Sequence, residues 1–167
     1  SISKEIINKV GVALTNLPEG FKPIKQIDRV LKTRKAQFNE TRTFDWAAAE
    51  LMAYGSLMLE GHKVRLSGQD VQRGTFSHRH AVIKDADTNE SFNNLNSLDS
   101  EAKFDVYNSF LSEYGVLGFE YGYAMANPNV LTIWEAQFGD FANGAQTMID
   151  QFVASGETKW LRMNGLV

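Results

Sequence analysis

The chain has 167 residues, the length of one domain with a sizeable core. Hydrophobic residues make up 43% and charged residues 22%, an ordinary balance for a soluble globular domain, and a net charge of -3 leaves no basic footprint for nucleic acid. Zero cysteines exclude a disulfide framework and any thiolate metal site.

The apolar stretches, such as Leu51–Leu59, are too short and interrupted to span a bilayer. Lysine and glutamate alternate from the start, unlike a secretory leader. No nucleic-acid or membrane partner and a cytoplasmic location are therefore expected.

Residues 1–43 carry two helical patterns separated by the breaker Leu17-Pro18-Glu19-Gly20. Ile2, Ile6, Ile7, Val10 and Leu14 share the face of the first; Ile24, Ile27 and Leu31 share that of the second. The basic run from Arg29 to Lys35 reads most simply as a solvated face, with phosphate binding as the functional alternative. The two patterns together make this segment a helical connector. Asp45 then caps a helix running to about Glu60, and Lys63–Ser67 is a strand.

The following loop, Gly68–His80, holds Gln69, Asp70, Arg73, His78 and His80 at a strand's carboxyl end, where a rigid scaffold can position binding groups. Asp70 and Arg73 suit an ion pair bracing the loop. In an extended chain His78 and His80 would point the same way, as a two-ligand metal site requires, but no third ligand is evident and no metal is assigned. Asp85–Ser100, rich in Asn, Asp and Ser, is expected to be an exposed excursion. Its Asp85-Ala86-Asp87 start imitates a calcium loop, but Glu90 stands where glycine belongs and Asn96 where a bidentate glutamate belongs.

From Phe104 the pattern becomes strand, turn, helix, strand, aromatic loop, helix. Phe104–Tyr107 and Val130–Trp134 are strands; Ser112 caps the intervening helix and places Glu113 in its first turn. Small residues Gly115, Gly118, Gly122 and Ala124 allow another backbone or a flat ligand to approach that helix. These glycines do not form a dinucleotide fingerprint, because the tight-turn pattern before the helix is missing. Phe138 and Phe141 follow the second strand in a loop. Ligands of open α/β sheets sit outside the carboxyl ends of parallel strands, and a carboxylate beside two aromatic rings suits a flat heteroaromatic ligand with a ring nitrogen. The final run, Trp160 to Val167, is apolar and strand-like, which reads as a chain cut from a longer protein.

The strings RLSGQDVQRGTFSHRHA at 65–81, LSEYGVLGFEYGYA at 111–124 and WEAQFGDFANGAQTMIDQF at 134–152 resemble the first, decarboxylating component of the 2-oxoglutarate dehydrogenase family. DWAAAELMAYGSLMLEGHKVRLSG from 45 and LPEGFKPIKQIDRVLKTR near the start extend the likeness over essentially the whole chain. The resemblance implies an α/β, three-layer thiamine-diphosphate-binding fold with a mainly parallel sheet, truncated at its C-terminus. Residues 1–43 would be the connector and 44–167 an incomplete pyrimidine-binding, transketolase-like domain.

By the same resemblance, Glu113 is the catalytic acid that hydrogen-bonds the aminopyrimidine and relays its proton, Phe138 and Phe141 line the pyrimidine face, and Gln69 and His80 face the substrate. The cofactor would be thiamine diphosphate, its magnesium held by a domain outside this chain. The parent enzyme would be a homodimer that decarboxylates 2-oxoglutarate oxidatively, in the tricarboxylic acid cycle, and passes the succinyl group to a lipoyl-bearing succinyltransferase component. It would reside in a bacterial cytoplasm or, in a eukaryote, in the mitochondrial matrix. A 2-oxoadipate dehydrogenase and a non-catalytic assembly domain of the same fold are the alternatives; the isolated fragment is expected to be inactive.

Overall fold

The computed structural model describes residues 2–167. Helices α1 (Lys4–Thr15), α2 (Lys25–Ala36) and α3 (Trp46–Leu59) precede the first strand, β1 (Val64–Gly68). A small hairpin follows, β2 (Val82–Lys84) and β3 (Ser91–Asn93), then β4 (Phe104–Asn108), α4 (Glu113–Ala126) and β5 (Leu131–Glu135). Short helices α5 (Gln146–Met148) and α6 (Gly156–Trp160) end the fold. The expected caps form: Asp45 accepts from the Ala48 amide at 2.8 Å and Ser112 from the Gly115 amide at 3.4 Å, each satisfying a donor that the helix itself leaves orphaned.

The main sheet has the order β4-β1-β5, and both pairings are parallel. Side chains alternate across it. Val64, Leu66, Phe104 and Val106 enter one core with Val10 and Leu14 of α1 and Ala48, Leu51 and Met58 of α3. Each such fully buried aliphatic side chain contributes about 1.5–3 kcal/mol relative to exposure. Gly55 permits the close approach of α1 to α3, since a Cβ there would stand 2.9 Å from both Val10 methyls. The other face is covered by α4, and an ion pair joins the two: Arg65 of β1 reaches the buried Glu120 carboxylate through Nε at 2.7 Å and Nη2 at 2.9 Å. Helices thus lie on both faces of a parallel sheet, the expected α/β architecture.

Four local expectations are corrected. The basic run of α2 is not uniformly solvated: Arg34 is 2% exposed, and its Nη2 donates to the carbonyls of His78 and Arg79. The buried stripe of α2 is Ile27, Leu31 and Arg34, while Ile24 and, on α1, Ile2 are exposed. Residues 85–100 are not a loose excursion, because the hairpin and a 3-10 turn at Leu95–Ser97 bury Asn94, Leu95 and Leu98. At the other end, Trp160 closes α6 and only Val167 pairs with β5, donating to the Thr132 carbonyl at 3.0 Å and accepting from the Trp134 amide at 2.9 Å. Among the described residues no helix is long and apolar enough to cross a membrane.

Candidate active site

The register of the sheet decides where chemistry gathers. Gly68 pairs with Asn108 on one side and Glu135 on the other, so the three strands finish in one row. The segments that leave this edge carry Gln69, Glu113, Phe138 and Phe141. Gly68 is required there: a Cβ would run into the Glu135 carbonyl oxygen.

Glu113 is half-buried in the first turn of α4, where the helix dipole favours a carboxylate. Its Oε1 accepts from Gln69 Nε2 at 3.3 Å, so the two predicted residues meet across 44 positions of sequence. On its other side lies Gly144, where an added Cβ would be 3.2 Å from Oε2. Gly144 belongs to the 3-10 turn Gly139–Ala145, which also contains Phe141 and is preceded by Phe138. The aromatic segment is therefore a wound turn rather than an open loop. Its two rings meet edge to face with centroids 5.7 Å apart, and each ring keeps surface in solvent, 40% for Phe138 and 45% for Phe141. Phe76 adds a third ring, edge-on to Phe138 at 5.8 Å. A cavity of about 460 Å³ lies beside the aromatic turn, lined by Phe76, His78, Glu135 and Phe138 among others, and its lining includes neither Glu113 nor Gln69.

His80 is not part of this group. Its backbone and that of Ser77 are left-handed, at φ 44° and 56°, so the segment is not a regular extended run, and His78 and His80 line different cavities. The His80 ring is buried, with Nε2 2.9 Å from Ser77 Oγ, and it lines a different cavity with Gln26, Ile83 and Asn108. Burial lowers its pKa below the ordinary histidine value, the nearby Arg34 and Arg73 charges adding to that, against a raising contribution from the Ser77 backbone. No group of three metal-ligating residues exists among the described residues. Asp70 and Arg73 do form the expected ion pair.

Arg79 lies beside this group although nothing near it in the sequence marks it out. It is 1% exposed, and each of its five N–H donors has an acceptor: Nε and Nη2 on Glu50 at 3.0 Å, Nη1 on the Val71 carbonyl at 2.9 Å, and Nη1 and Nη2 on Glu135. Burial works against its charge, but the Glu135 and Glu50 carboxylates override that and hold the guanidinium protonated. The signal was present only as an arginine in a polar loop; its acid partners stand on α3 and β5, 29 and 56 residues away.

In this α/β domain the three parallel strands finish beside a carboxylate, an amide and an aromatic turn, gathered at one edge of the sheet. The family model described as "Transketolase, pyrimidine binding domain" matches residues 42–167, and the chain belongs to that family. Over 99% of its length the chain is 52% identical to "2-oxoglutarate dehydrogenase, mitochondrial" of Dictyostelium discoideum, and 51% identical to the protein of the same name from Schizosaccharomyces pombe. It is 50% identical to the "2-oxoglutarate dehydrogenase E1 component" of Rickettsia conorii. The chain spans 17% of the length of the first two relatives and 18% of the third.

Proposed function

We propose that this chain forms the pyrimidine-binding wall of the active centre of a thiamine-diphosphate-dependent 2-oxoglutarate dehydrogenase. The observation that carries the reading is Glu113, held by Gln69 at the first turn of α4 and backed by Gly144 of the aromatic turn. The names of the relatives, at about half identity across the whole chain, point the same way.

The residues fit an aminopyrimidine. Gly144 leaves open the space beside Oε2 that a side chain would crowd, and the exposed faces of Phe138 and Phe141 are available to a flat ring. When bound, thiamine diphosphate supplies the electron sink for decarboxylation of a 2-oxo acid. The chain's own part is narrower. Glu113 would hold and return a proton at its carboxylate; Gln69 fixes the carboxylate's direction by occupying Oε1; the phenylalanines would exclude water and give a flat ring an apolar surface. Gln69 is then placed to face the 2-oxo acid as well. His80, in its separate cavity against Ser77, takes no part in this reading.

Residues 1–43 serve as the connector and 44–167 as the pyrimidine domain of a longer homodimeric enzyme. Magnesium and the diphosphate would be held outside this chain, and the succinyl group would pass to a lipoyl-bearing succinyltransferase. By analogy with the names of its relatives the enzyme works in mitochondria or in a bacterial cell.

The test is turnover by the full-length enzyme with thiamine diphosphate and magnesium, comparing 2-oxoglutarate with 2-oxoadipate. Preferred turnover of 2-oxoglutarate supports the reading. Preference for 2-oxoadipate would reassign the substrate, and no cofactor-dependent turnover of either acid would leave an assembly role in its place.

A further inference from the structure

The loop after β1 and the turn after β5 carry different parts of the candidate site, and one buried side chain joins them. Arg79 forks between Glu135, the last residue of β5, and Glu50 of α3, while Nη1 also binds the Val71 carbonyl, two residues beyond Gln69. Only Ala136 and Gln137 separate Glu135 from Phe138. A shift of the Glu135 backbone would therefore reach the aromatic turn across only two residues.

Other contacts repeat the tie. Thr75 Oγ1 donates to the Gln137 carbonyl at 2.9 Å, and the Phe76 ring abuts Phe138. The backbone of Arg79 is itself fixed from behind, since Arg34 of α2 donates to its carbonyl. Glu50 is fixed as well, accepting from Tyr54 Oη at 2.8 Å. A guanidinium that only neutralised Glu50 would need one edge of its fork. Here the fork also reaches Glu135 on β5 and the Val71 carbonyl in the loop that carries Gln69, and these contacts tie the end of β5 to that loop whether or not Glu50 is charged.

We propose that Arg79 is a positioning residue for the cofactor site: through Glu135 it fixes the Phe138–Phe141 turn relative to Gln69 and Glu113. It touches neither cofactor nor substrate. The inference rests on the functional reading above and adds a residue through which that site is held in register.

The test uses the full-length enzyme and measures turnover against thiamine diphosphate concentration for three variants. Arg79→Lys keeps the charge but cannot bridge both carboxylates. Glu135→Gln weakens the bridge on the side of the aromatic turn, and Glu50→Gln weakens it on the side of α3. The expected result is a half-saturating cofactor concentration raised on the order of 10- to 100-fold by Arg79→Lys and by Glu135→Gln, with turnover at saturation largely retained. Glu50→Gln should lower thermal stability but leave half-saturation near the parent value. The Arg79→Lys/Glu135→Gln double variant should be no worse than the poorer single one, because both break the same tie. Equal effects of all three on half-saturation, or losses that merely track the fraction folded, would overturn the proposal and make Arg79 a stabilising residue only. A parent enzyme whose turnover ignores thiamine diphosphate would instead sink the functional reading, and this inference with it.

Discussion

Gln69 donates from Nε2 to Glu113 Oε1 at 3.3 Å, which joins the carboxyl end of β1 to the first turn of α4. The contact assigns the two carboxylate oxygens different work: Oε1 is occupied by an amide, and Oε2 faces the gap beside Gly144. A carboxylate so held can exchange a proton with a ring nitrogen without reorienting.

Replacing Glu113 by Gln in the full-length enzyme should leave folding and substrate binding nearly intact and cut turnover by about 100- to 10,000-fold, the usual contribution of a positioned acid–base group. The amide is the same size but cannot take up and return the proton. Hydrogen–deuterium exchange at the thiazolium carbon of added thiamine diphosphate is the direct assay. Exchange as fast as in the parent enzyme would remove Glu113 from the proton relay.

Phe141→Ala should behave differently. The Phe138–Phe141 pair meets edge to face and leaves part of each ring in solvent, so truncation costs stacking and burial rather than chemistry. Cofactor affinity should weaken by roughly 1–3 kcal/mol while the saturated rate changes little. Titration calorimetry with thiamine diphosphate measures the first quantity and steady-state kinetics the second. A large loss of the saturated rate with unchanged affinity would show that the ring does something other than hold the ligand.

Much of this fold is legible in local pattern. The three strands of the main sheet, the Asp45 and Ser112 caps and the place of Glu113 follow from signals within a few residues of each site, whereas the hairpin strands β2 and β3 do not. What is not legible depends on distant partners. Arg34 reads as solvated because its neighbours in sequence are basic, yet its acceptors are carbonyls 44 and 45 residues later. Residues 85–100 read as loose because asparagine and serine dominate, yet Asn93 and Asn96 both donate to the Phe104 carbonyl and so fasten the segment to the start of β4. His80 groups with Gln69 only by adjacency along the loop. Left-handed backbone at Ser77 and His80 turns that ring elsewhere, and nothing in the residue types announces such a turn.

The buried ion pair between Arg65 and Glu120 gives a prediction about stability. Glu120 is 1% exposed, and Arg65 is also stacked near the rings of Tyr107 and Tyr123, at 4.6 and 4.4 Å. Glu120→Ala leaves a guanidinium without its acid on the α4 side of the sheet and should cost about 3–5 kcal/mol. Replacing both partners, as Arg65→Met with Glu120→Leu, should recover most of that loss, since two charges no longer have to be desolvated. Thermal and denaturant unfolding of the protein carrying this domain would decide. If the double variant were no more stable than Glu120→Ala, the cost would lie in lost packing and not in the orphaned charge.

The last prediction concerns pH. Burial, aided by the Arg34 and Arg73 charges, holds the His80 pKa below the ordinary value of 6.5. The folded state therefore resists a proton that the unfolded chain accepts. Between the lowered folded pKa and 6.5 the unfolded state binds more protons, so stability rises with pH across that window. The contribution of His80 is fully present above the unfolded value and is lost as pH falls below it, until the folded group also titrates. Melting temperature measured from about pH 7.5 down to about 5 should decline partly for this reason. In a His80→Gln variant, whose amide keeps a hydrogen-bonding atom near Ser77 without titrating, that part of the slope should vanish. Parallel melting curves for parent and variant would mean that His80 takes up its proton equally well in both states, and that its burial imposes no cost on the charged form.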